Sequence, residues 1–454
     1  MGTLRDRVET VSGHRRKIAG AAFAAGLLMT MARPAAAADL GGGCCADLDE
    51  RVAELEATVA RKGTRKVSLE VSGWVNTALM AFDDGGERNA HVVDNAQDRS
   101  RARFRGTAKL TGDWSAGFLI EFGLRTARSD RVSASADDTN DGVDVRHASW
   151  SIGSKSLGRV TVGQTSQVSD GITQINLGGV NHVARSQVFD LAGGFSIRAG
   201  GAATAVRWRD LAVRENPGEG NRQNLVRYDA PALYGFTLSA AWGEDDVTDV
   251  GLRYAGDIGD LKLAAGIALA RWSESDAGGT TCLDRQGAAA GGSDTSCRAL
   301  GLSASVLHGP SGLFASVAHG VLIDDARAAA AATFTAAPVE DSDRFLWLEA
   351  GLKRSWSAAG KTTFYGEYYR GAFGTPTRGT GGGAFAGRQI GGNDIVSSVV
   401  EMWGVGINQS LEKAAMDLYL GVRAYSADIR LENGTGAAAV DDLRTLVAGA
   451  VVRF

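Results

Sequence analysis

The segment RSRARFRGTAKLTGDWSAGFLIEFGLR, from Arg99 to Arg125, contains two runs of alternating polar and apolar residues joined by a short turn. In the second run, Glu121 and Arg125 fall on the side opposite to the large apolar residues. In the first run, four arginines recur at every second position: Arg99, Arg101, Arg103 and Arg105. Because successive side chains of a β-strand point to opposite faces, both runs predict strands with one charged and one apolar face.

The four arginines of the first run need contact with water. On a lipid-facing surface each would cost about 2–4 kcal/mol near the bilayer midplane. We therefore predict that they line a water-filled lumen together with Glu121 and Arg125. The solvated face of a soluble sheet is the alternative, and local periodicity does not distinguish the two.

The spacing of the predicted strands indicates how they are connected. Sixteen segments between residues 65 and 454 have strand character, the first at 65–81 and the second at 99–112. Short connections follow the even-numbered strands and mostly long ones follow the odd-numbered strands, with 244–246 as the short exception. An antiparallel barrel with one end in the periplasm has this alternation. The predicted fold is therefore all-β, a 16-stranded antiparallel transmembrane β-barrel.

The last predicted strand, 441–454, supports a membrane barrel. Its alternating apolar face ends on an aromatic residue that is also the last residue of the sequence. A terminal aromatic of this kind resembles the signal by which outer-membrane barrels are recognised for assembly. The residues on this face are Leu446, Ala448, Ala450, Val452 and Phe454.

The first 38 residues have the features of an export signal. A basic stretch precedes 14 apolar residues, 18–31, and Ala36-Ala37-Ala38 offers a cleavage site. The apolar run is shorter than the roughly 20 residues of a membrane-spanning helix. Removing residues 1–38 leaves 42 basic against 50 acidic residues, and this acidic balance argues against nucleic acid as a partner.

Residues 39–64 are predicted to form a short periplasmic coiled coil. An apolar seam with heptad spacing runs through Leu48, Val52, Leu55 and Val59. About two heptads are too short to be stable alone, so assembly would need copies already held together.

Four cysteines would meet an oxidising compartment after export. Cys282 and Cys297 flank a predicted loop and are candidates for a disulfide. The adjacent pair Cys44 and Cys45 bridges only with strain, and a link between subunits is an alternative.

Three stretches resemble the general porins of alphaproteobacteria. They are CCADLDERVAELEATVARKGTRKVSLEVSGWVN at 44–76, GRVTVGQTSQVSDG at 158–171, and the final VVRF. The resemblance implies a homotrimer of sixteen-stranded barrels, each with its own pore. It also implies that the long loop at 165–220 folds inward and narrows the channel. Asp170 and Asp190 are the first acidic residues of this loop.

These features predict an outer-membrane pore for passive diffusion of small hydrophilic solutes and ions, with outer-membrane lipid around the barrel. We expect the four arginines to face Asp170 and Asp190 across the constriction, because opposed charges would orient polar solutes. No cofactor or metal site is predicted.

Two features of the sequence bear on functions other than a pore. His147 and Ser149 are similar to the pair of outer-membrane phospholipases, but no third group that could orient the histidine follows within the next strand. The sequence also lacks other hydrolase and phosphate-loop motifs, so no enzyme is predicted. A barrel whose long loops act as an adhesin or receptor surface is the alternative, although those loops have few aromatic anchors.

Overall fold

The computed structural model describes residues 66–124, 126–137, 142–212, 216–274, 295–324, 342–374, 389–431 and 437–454. The predicted signal peptide and coiled coil, Arg125 and Cys282 lie outside the described residues. Cys297 is described and buried, and its pairing with Cys282 stays a prediction.

Sixteen long strands form the wall. They are β1 (Ser68–Asp83), β2 (Arg101–Lys109), β3 (Trp114–Leu124), β4 (Val143–Ser154), β5 (Gly158–Ser166), β6 (Arg222–Asp229), β7 (Phe236–Gly243), β8 (Val247–Ile258), β9 (Leu261–Glu274), β10 (Thr295–His308), β11 (Leu313–Asp324), β12 (Ser342–Ser357), β13 (Gly360–Gly374), β14 (Asn393–Leu411), β15 (Met416–Leu431) and β16 (Leu443–Arg453).

Shorter elements lie in the connections. Strands span Arg88–Asp94, Ser196–Ala199, Ala202–Arg207, Gln389–Ile390 and Ala437–Ala438, and single 3-10 turns span Ala96–Asp98, Val188–Asp190, Trp208–Leu211, Glu244–Asp246 and Glu412–Ala414. None of the helical turns in the described part of the chain has the length and apolar character of a membrane-spanning helix.

The wall is a closed ring. Each long strand pairs with its neighbours in an antiparallel sense, and β1 pairs with β16 from Trp74↔Arg453 to Asp83↔Arg444. At this seam Phe454 exchanges backbone hydrogen bonds of 2.9 and 3.0 Å with Gly73. Closure leaves no free sheet edge, so the wall's backbone groups can be satisfied in lipid. The prediction of a 16-stranded antiparallel barrel is confirmed.

The two faces of the wall differ as the alternation predicts. In β15, Leu418, Leu420 and Val422 are exposed, whereas Tyr419 and Arg423, at the alternate positions, are buried. Side chains that point into a closed barrel are covered, so the buried set faces inward and the exposed apolar set faces outward. A band of exposed apolar residues around a closed barrel is the surface that lipid requires.

The second strand begins later than predicted. The 3-10 turn Ala96–Asp98 precedes it, capped by the Asn95 side chain, which accepts a hydrogen bond from the Gln97 amide at 3.0 Å. Arg99 follows this turn and lies outside β2. The predicted loop before it also contains the strand Arg88–Asp94, which pairs with β1.

The largest buried cluster lies where the residues between β5 and β6 meet the inner side of the wall. We call residues 167–212 and 216–221 the β5–β6 segment. Its Phe189 packs against Tyr369 of β13 at 6.2 Å between ring centroids, and its Trp208 packs against Tyr425 of β15 at 6.0 Å. These contacts bring the segment next to inward-facing side chains of the wall.

Candidate functional site

One buried carboxylate organises the arginines of the second strand. Glu121 of β3 is opposite Arg103 in the sheet register, and its side chain is fully buried. Its Oε2 accepts from Arg103 Nε at 2.7 Å, and its Oε1 accepts from Arg146 Nε at 2.6 Å and lies 3.4 Å from Arg101 Nη1. Charge-assisted contacts to three guanidiniums offset the repulsion among the arginines.

Arg146 reaches Glu121 because β4 contains a bulge. The pairing of β3 with β4 skips Arg146, since Glu121 pairs with His147 and the next residue, Phe122, pairs with Val145. A β-bulge adds one residue to a strand and shifts its alternation, so Arg146 and His147 both turn inward. Strict alternation would have placed Arg146 on the lipid side.

We call the four arginines that were predicted to line the lumen the arginine ladder: Arg99, Arg101, Arg103 and Arg105. Its members differ in their surroundings. Arg101 also contacts Asp98 at 2.7 Å, and its guanidinium lies 4.3 Å from the centre of the Trp74 ring. Arg99 contacts Asp144 of β4 at 3.2 Å. Arg105 is exposed. The ladder arginines that take part in the ion-pair network are therefore those near the start of β2, where the long connection from β1 enters the strand.

Asp170 and Asp190 contact other arginines than those of the ladder. Asp170 Oδ2 accepts from Ser166 Oγ at 2.6 Å and lies 3.4 Å from Arg222 Nη2 of β6. Although burial opposes ionisation, the charge of Arg222 lowers the pKa of Asp170 below its ordinary value. Asp190 forms a close ion pair with Arg185 of the same segment. The direct partners of these two acids are therefore arginines outside the ladder, and the expectation that the ladder faces them across the constriction stays a prediction.

Arg99 and Arg101 of the ladder line one polar cavity together with Asp170 and Asp190. This cavity has a volume of about 630 Å³ and lies between the wall and the β5–β6 segment. Its charged lining comprises seven arginines and four acids: Arg99, Arg101, Arg128, Arg131, Arg146, Arg185, Arg222, Asp98, Asp170, Asp190 and Glu219. Three further acids that pair with these arginines lie outside this lining: Glu121, Asp130 and Asp144. The lining itself therefore has an excess of positive groups, seven guanidiniums against four carboxylates, although the whole chain has a net charge of −4.

Glu219 is a site residue that sequence reasoning missed. It is buried, and its carboxylate accepts from Thr173 N at 2.9 Å and Gln174 Nε2 at 2.8 Å, with further close contacts to Gly171 N and Thr173 Oγ1. Burial, together with the charge of Asp170, raises the pKa of Glu219 to about 7. No periodic pattern marks this residue, because it lies in an irregular segment.

Other contacts attach the β5–β6 segment to strands β13 and β15 of the wall. Arg423 of β15 forms a buried ion pair with Glu367 of β13, with Nε to Oε1 at 2.7 Å. The same guanidinium donates to the Val188 carbonyl at 3.3 Å, and Tyr425 Oη donates to the Val188 and Leu191 carbonyls at 2.9 and 3.0 Å. The inward residues of β13 and β15 thus hold the segment.

Comparison with known proteins agrees with this architecture. A model of the Gram-negative porin family matches residues 21–444. The sequence has no significant match among curated proteins. An anion-selective porin from Comamonas acidovorans is 16% identical, with a TM-score of 0.52, over 86% of this chain and 100% of that one.

Two further solved structures are similar at lower TM-scores. OmpF of Salmonella typhi in complex with daunomycin is 12% identical, with a TM-score of 0.48, over 86% of this chain and 98% of that one. The trimer form of in-vitro folded OmpT of Vibrio cholerae is 12% identical, with a TM-score of 0.47, over 86% and 99%. Family and fold point to a channel and not to an enzyme. The chain belongs to the Gram-negative porin family, whose barrel in the bacterial outer membrane is a channel for passive diffusion.

Proposed function

We propose that the β5–β6 segment narrows the channel and that the constriction favours small anions. The observation that carries this proposal is the polar cavity between the segment and the wall, with seven arginines and four acids in its lining. Solutes that cross the barrel pass this lining, so its charge sets their relative rates.

The arrangement of the ion pairs supports an anion preference. Glu121 is fully buried and holds Arg101 and Arg146, so an ion in the cavity can approach the two guanidiniums more closely than the carboxylate. Fixed charges along a narrow, low-dielectric channel focus the field on passing ions and raise the local concentration of the opposite sign. The positive excess therefore attracts anions and repels cations.

Arg101→Ala combined with Arg222→Ala is expected to lower the anion-to-cation permeability ratio by about fivefold or more. The reason is that one charge at ~4 Å from an ion is worth about 1 kcal/mol even in bulk water. Zero-current potentials in a planar bilayer with a salt gradient measure this ratio. Arg105→Ala is the matched control, because Arg105 lies on the same face of β2 but outside the cavity lining. An equal effect of both variants, or a cation-selective native channel, would contradict the proposal.

The anion preference is expected to decline as pH rises from about 6 to about 8. Burial places the pKa of Glu219 at about 7, so its carboxyl is mostly neutral at the lower pH and mostly charged at the higher one. Each added negative charge reduces the positive excess of the lining. In Glu219→Gln this pH step should disappear, and a step of unchanged size in the variant would rule out Glu219 as its origin.

We also propose the finer features that the sequence and its resemblance predict. The chain is an alphaproteobacterial porin and assembles as a homotrimer, and residues 39–64 form a short periplasmic coiled coil. Residues 1–38 are removed on export, and Cys282 pairs with Cys297. Closure of one inserted complex in three equal conductance steps tests the trimer. Mass spectrometry of the exported protein tests both the cleavage after residue 38 and the disulfide.

A further inference from the structure

Two lysines face the lumen at the end of the barrel where the short turns lie, which we call the short-turn end. Lys353 of β12 and Lys361 of β13 lie next to the short turn that joins these strands. The exposed residues Leu348 and Phe364 occupy the other face of the same strands. The Lys353 ammonium also donates to the Leu177 carbonyl of the β5–β6 segment at 3.5 Å, which agrees with its inward position.

These two residues, which we call the lysine pair, are diagonal neighbours in the sheet. Lys353 is opposite Thr363, and Lys361 is opposite Ser355, two positions along each strand. Cβ atoms at diagonal positions are about 7–8 Å apart, within reach of long side chains. Lys361 is exposed and Lys353 is half-buried. Their two ammonium groups can therefore approach the same ion in the lumen.

The neighbouring charges leave the lysine pair positive. None of the ion pairs in the described part of the chain involves either lysine. The acid whose charge reaches Lys353 is Asp417 of β15, and this carboxylate already pairs with Arg453 of β16. Lys262 of β9 brings another positive charge near Lys353 and is itself opposite Asp257 in the register. The pair therefore has positive charge that a small anion can neutralise.

The lysine pair is separate from the polar cavity at the constriction. Neither lysine belongs to the lining of that cavity, and Leu177, which Lys353 contacts, does not belong to it either. The cavity lies near the start of β2, where the long connection enters, whereas the pair lies at the short-turn end. An ion on the proposed path therefore passes the two places one after the other.

We propose that Lys353 and Lys361 form a second anion site of the channel, which binds small oxyanions with two negative charges. Coulomb energy scales with the product of the charges, so two ammonium groups attract a divalent anion about twice as strongly as a monovalent one. Lysine acts on oxyanions as a point charge, so the site selects for charge and not for one molecular shape. The inference rests on the proposed function in one respect, because an anion current reports the binding.

Block of the chloride current of the purified channel by sulfate tests this site. Sulfate is added to one side of a planar bilayer and then to the other, at low ionic strength where screening is weak. Only one mouth has the lysine pair, so the half-blocking concentration should be at least about fivefold lower on one side than on the other. Lys353→Gln with Lys361→Gln should raise the lower concentration by at least about fivefold, whereas Lys353→Arg with Lys361→Arg should preserve it.

Two further variants separate the loss of charge from other effects. Lys361→Gln alone leaves the contact between Lys353 and the segment in place, and it should raise the lower half-blocking concentration by about twofold. Arg354→Gln is the matched control, because Arg354 is next to Lys353 in β12 but falls on the outward face. This control should leave the block unchanged.

Equal half-blocking concentrations on the two sides of the native channel would overturn the proposal. An unchanged block in the double glutamine variant, with its fold verified by circular dichroism, would also overturn it, and so would an equal shift in Arg354→Gln. The zero-current potential without sulfate separates this proposal from the proposed function. An anion-selective channel without one-sided sulfate block would refute the second site alone, whereas a cation-selective channel would refute the proposed function.

Discussion

Glu121→Gln is expected to lower the free energy of unfolding of the barrel by about 3–5 kcal/mol, the usual loss when one partner of a buried ion pair is removed. The neutral amide would leave Arg101, Arg103 and Arg146 without the carboxylate that all three contact. Their mutual repulsion would then act in the wall with little compensation. Urea unfolding from lipid bilayers, followed by tryptophan fluorescence, measures the change.

Glu70→Gln is the matched control for this experiment. Glu70 lies on β1 opposite Arg105 and is exposed, so its substitution should change the stability by less than about 0.5 kcal/mol. Similar losses in the two variants would mean that Glu121 does not organise the arginines.

Glu367→Gln is expected to loosen the β5–β6 segment and to make the open channel noisy, with an increased mean conductance. The substitution leaves Arg423 buried without its carboxylate, although the same guanidinium bonds the Val188 carbonyl. Removing one member of a buried pair costs about 3–5 kcal/mol, which the segment can relieve by moving away from the wall. Single-channel recordings at constant voltage measure both quantities.

Two further variants separate loosening of the segment from loss of stability. Glu367→Leu with Arg423→Met replaces the whole pair, so most of the stability should return. The bonds from Arg423 to the segment would still be missing, so the conductance should stay noisy. The double variant Arg370→Gln with Glu401→Gln removes an exposed, outward-facing ion pair that contributes about 0–1 kcal/mol to stability. Its single-channel recordings should match those of the native channel. If the open-channel current of Glu367→Gln were no noisier than that of the native channel, the Glu367–Arg423 pair would not hold the segment.

The wall could be predicted from the sequence because each strand shows the same alternation of apolar and polar residues, which depends only on neighbouring positions. Alternation in segments such as β15 separates an apolar from a polar face, and the lengths of the connections indicate the antiparallel order of a membrane barrel. A strand period of two requires no knowledge of distant contacts. The number of strands, their antiparallel pairing and the inward position of Glu121 follow from these patterns.

The detailed site could not be predicted because it depends on departures from the pattern. The bulge in β4 turns Arg146 inward, and nothing in the local sequence marks the skipped residue. Asn95 caps a turn that excludes Arg99 from β2. The arginine that pairs with Asp170 comes from β6, far along the chain, so the alternation within β2 could not reveal it.

Glu219 illustrates a second limit of sequence reasoning. Its partners Gly171 and Thr173 lie almost fifty positions earlier, and the contacts form only when the segment turns back on itself. In the sequence it is one acidic residue among Gly, Asn and Pro. Its effect on the charge of the cavity becomes visible only when the folded segment shows its burial.

The central claim is that ions cross the barrel through the cavity between the β5–β6 segment and the arginines of the wall. Gln187 lines this cavity and is only partly buried, so a thiol introduced there can be reached from the channel. The most direct measurement is the single-channel conductance of Gln187→Cys before and after reaction with a bulky anionic thiol reagent. The native protein, treated in the same way, controls for its own cysteines. We expect the conductance to fall by at least about half and the anion preference to weaken, because added bulk and negative charge both oppose anions in a narrow pore. An unchanged conductance with complete labelling, verified by mass spectrometry, would place the ion path elsewhere and contradict the claim.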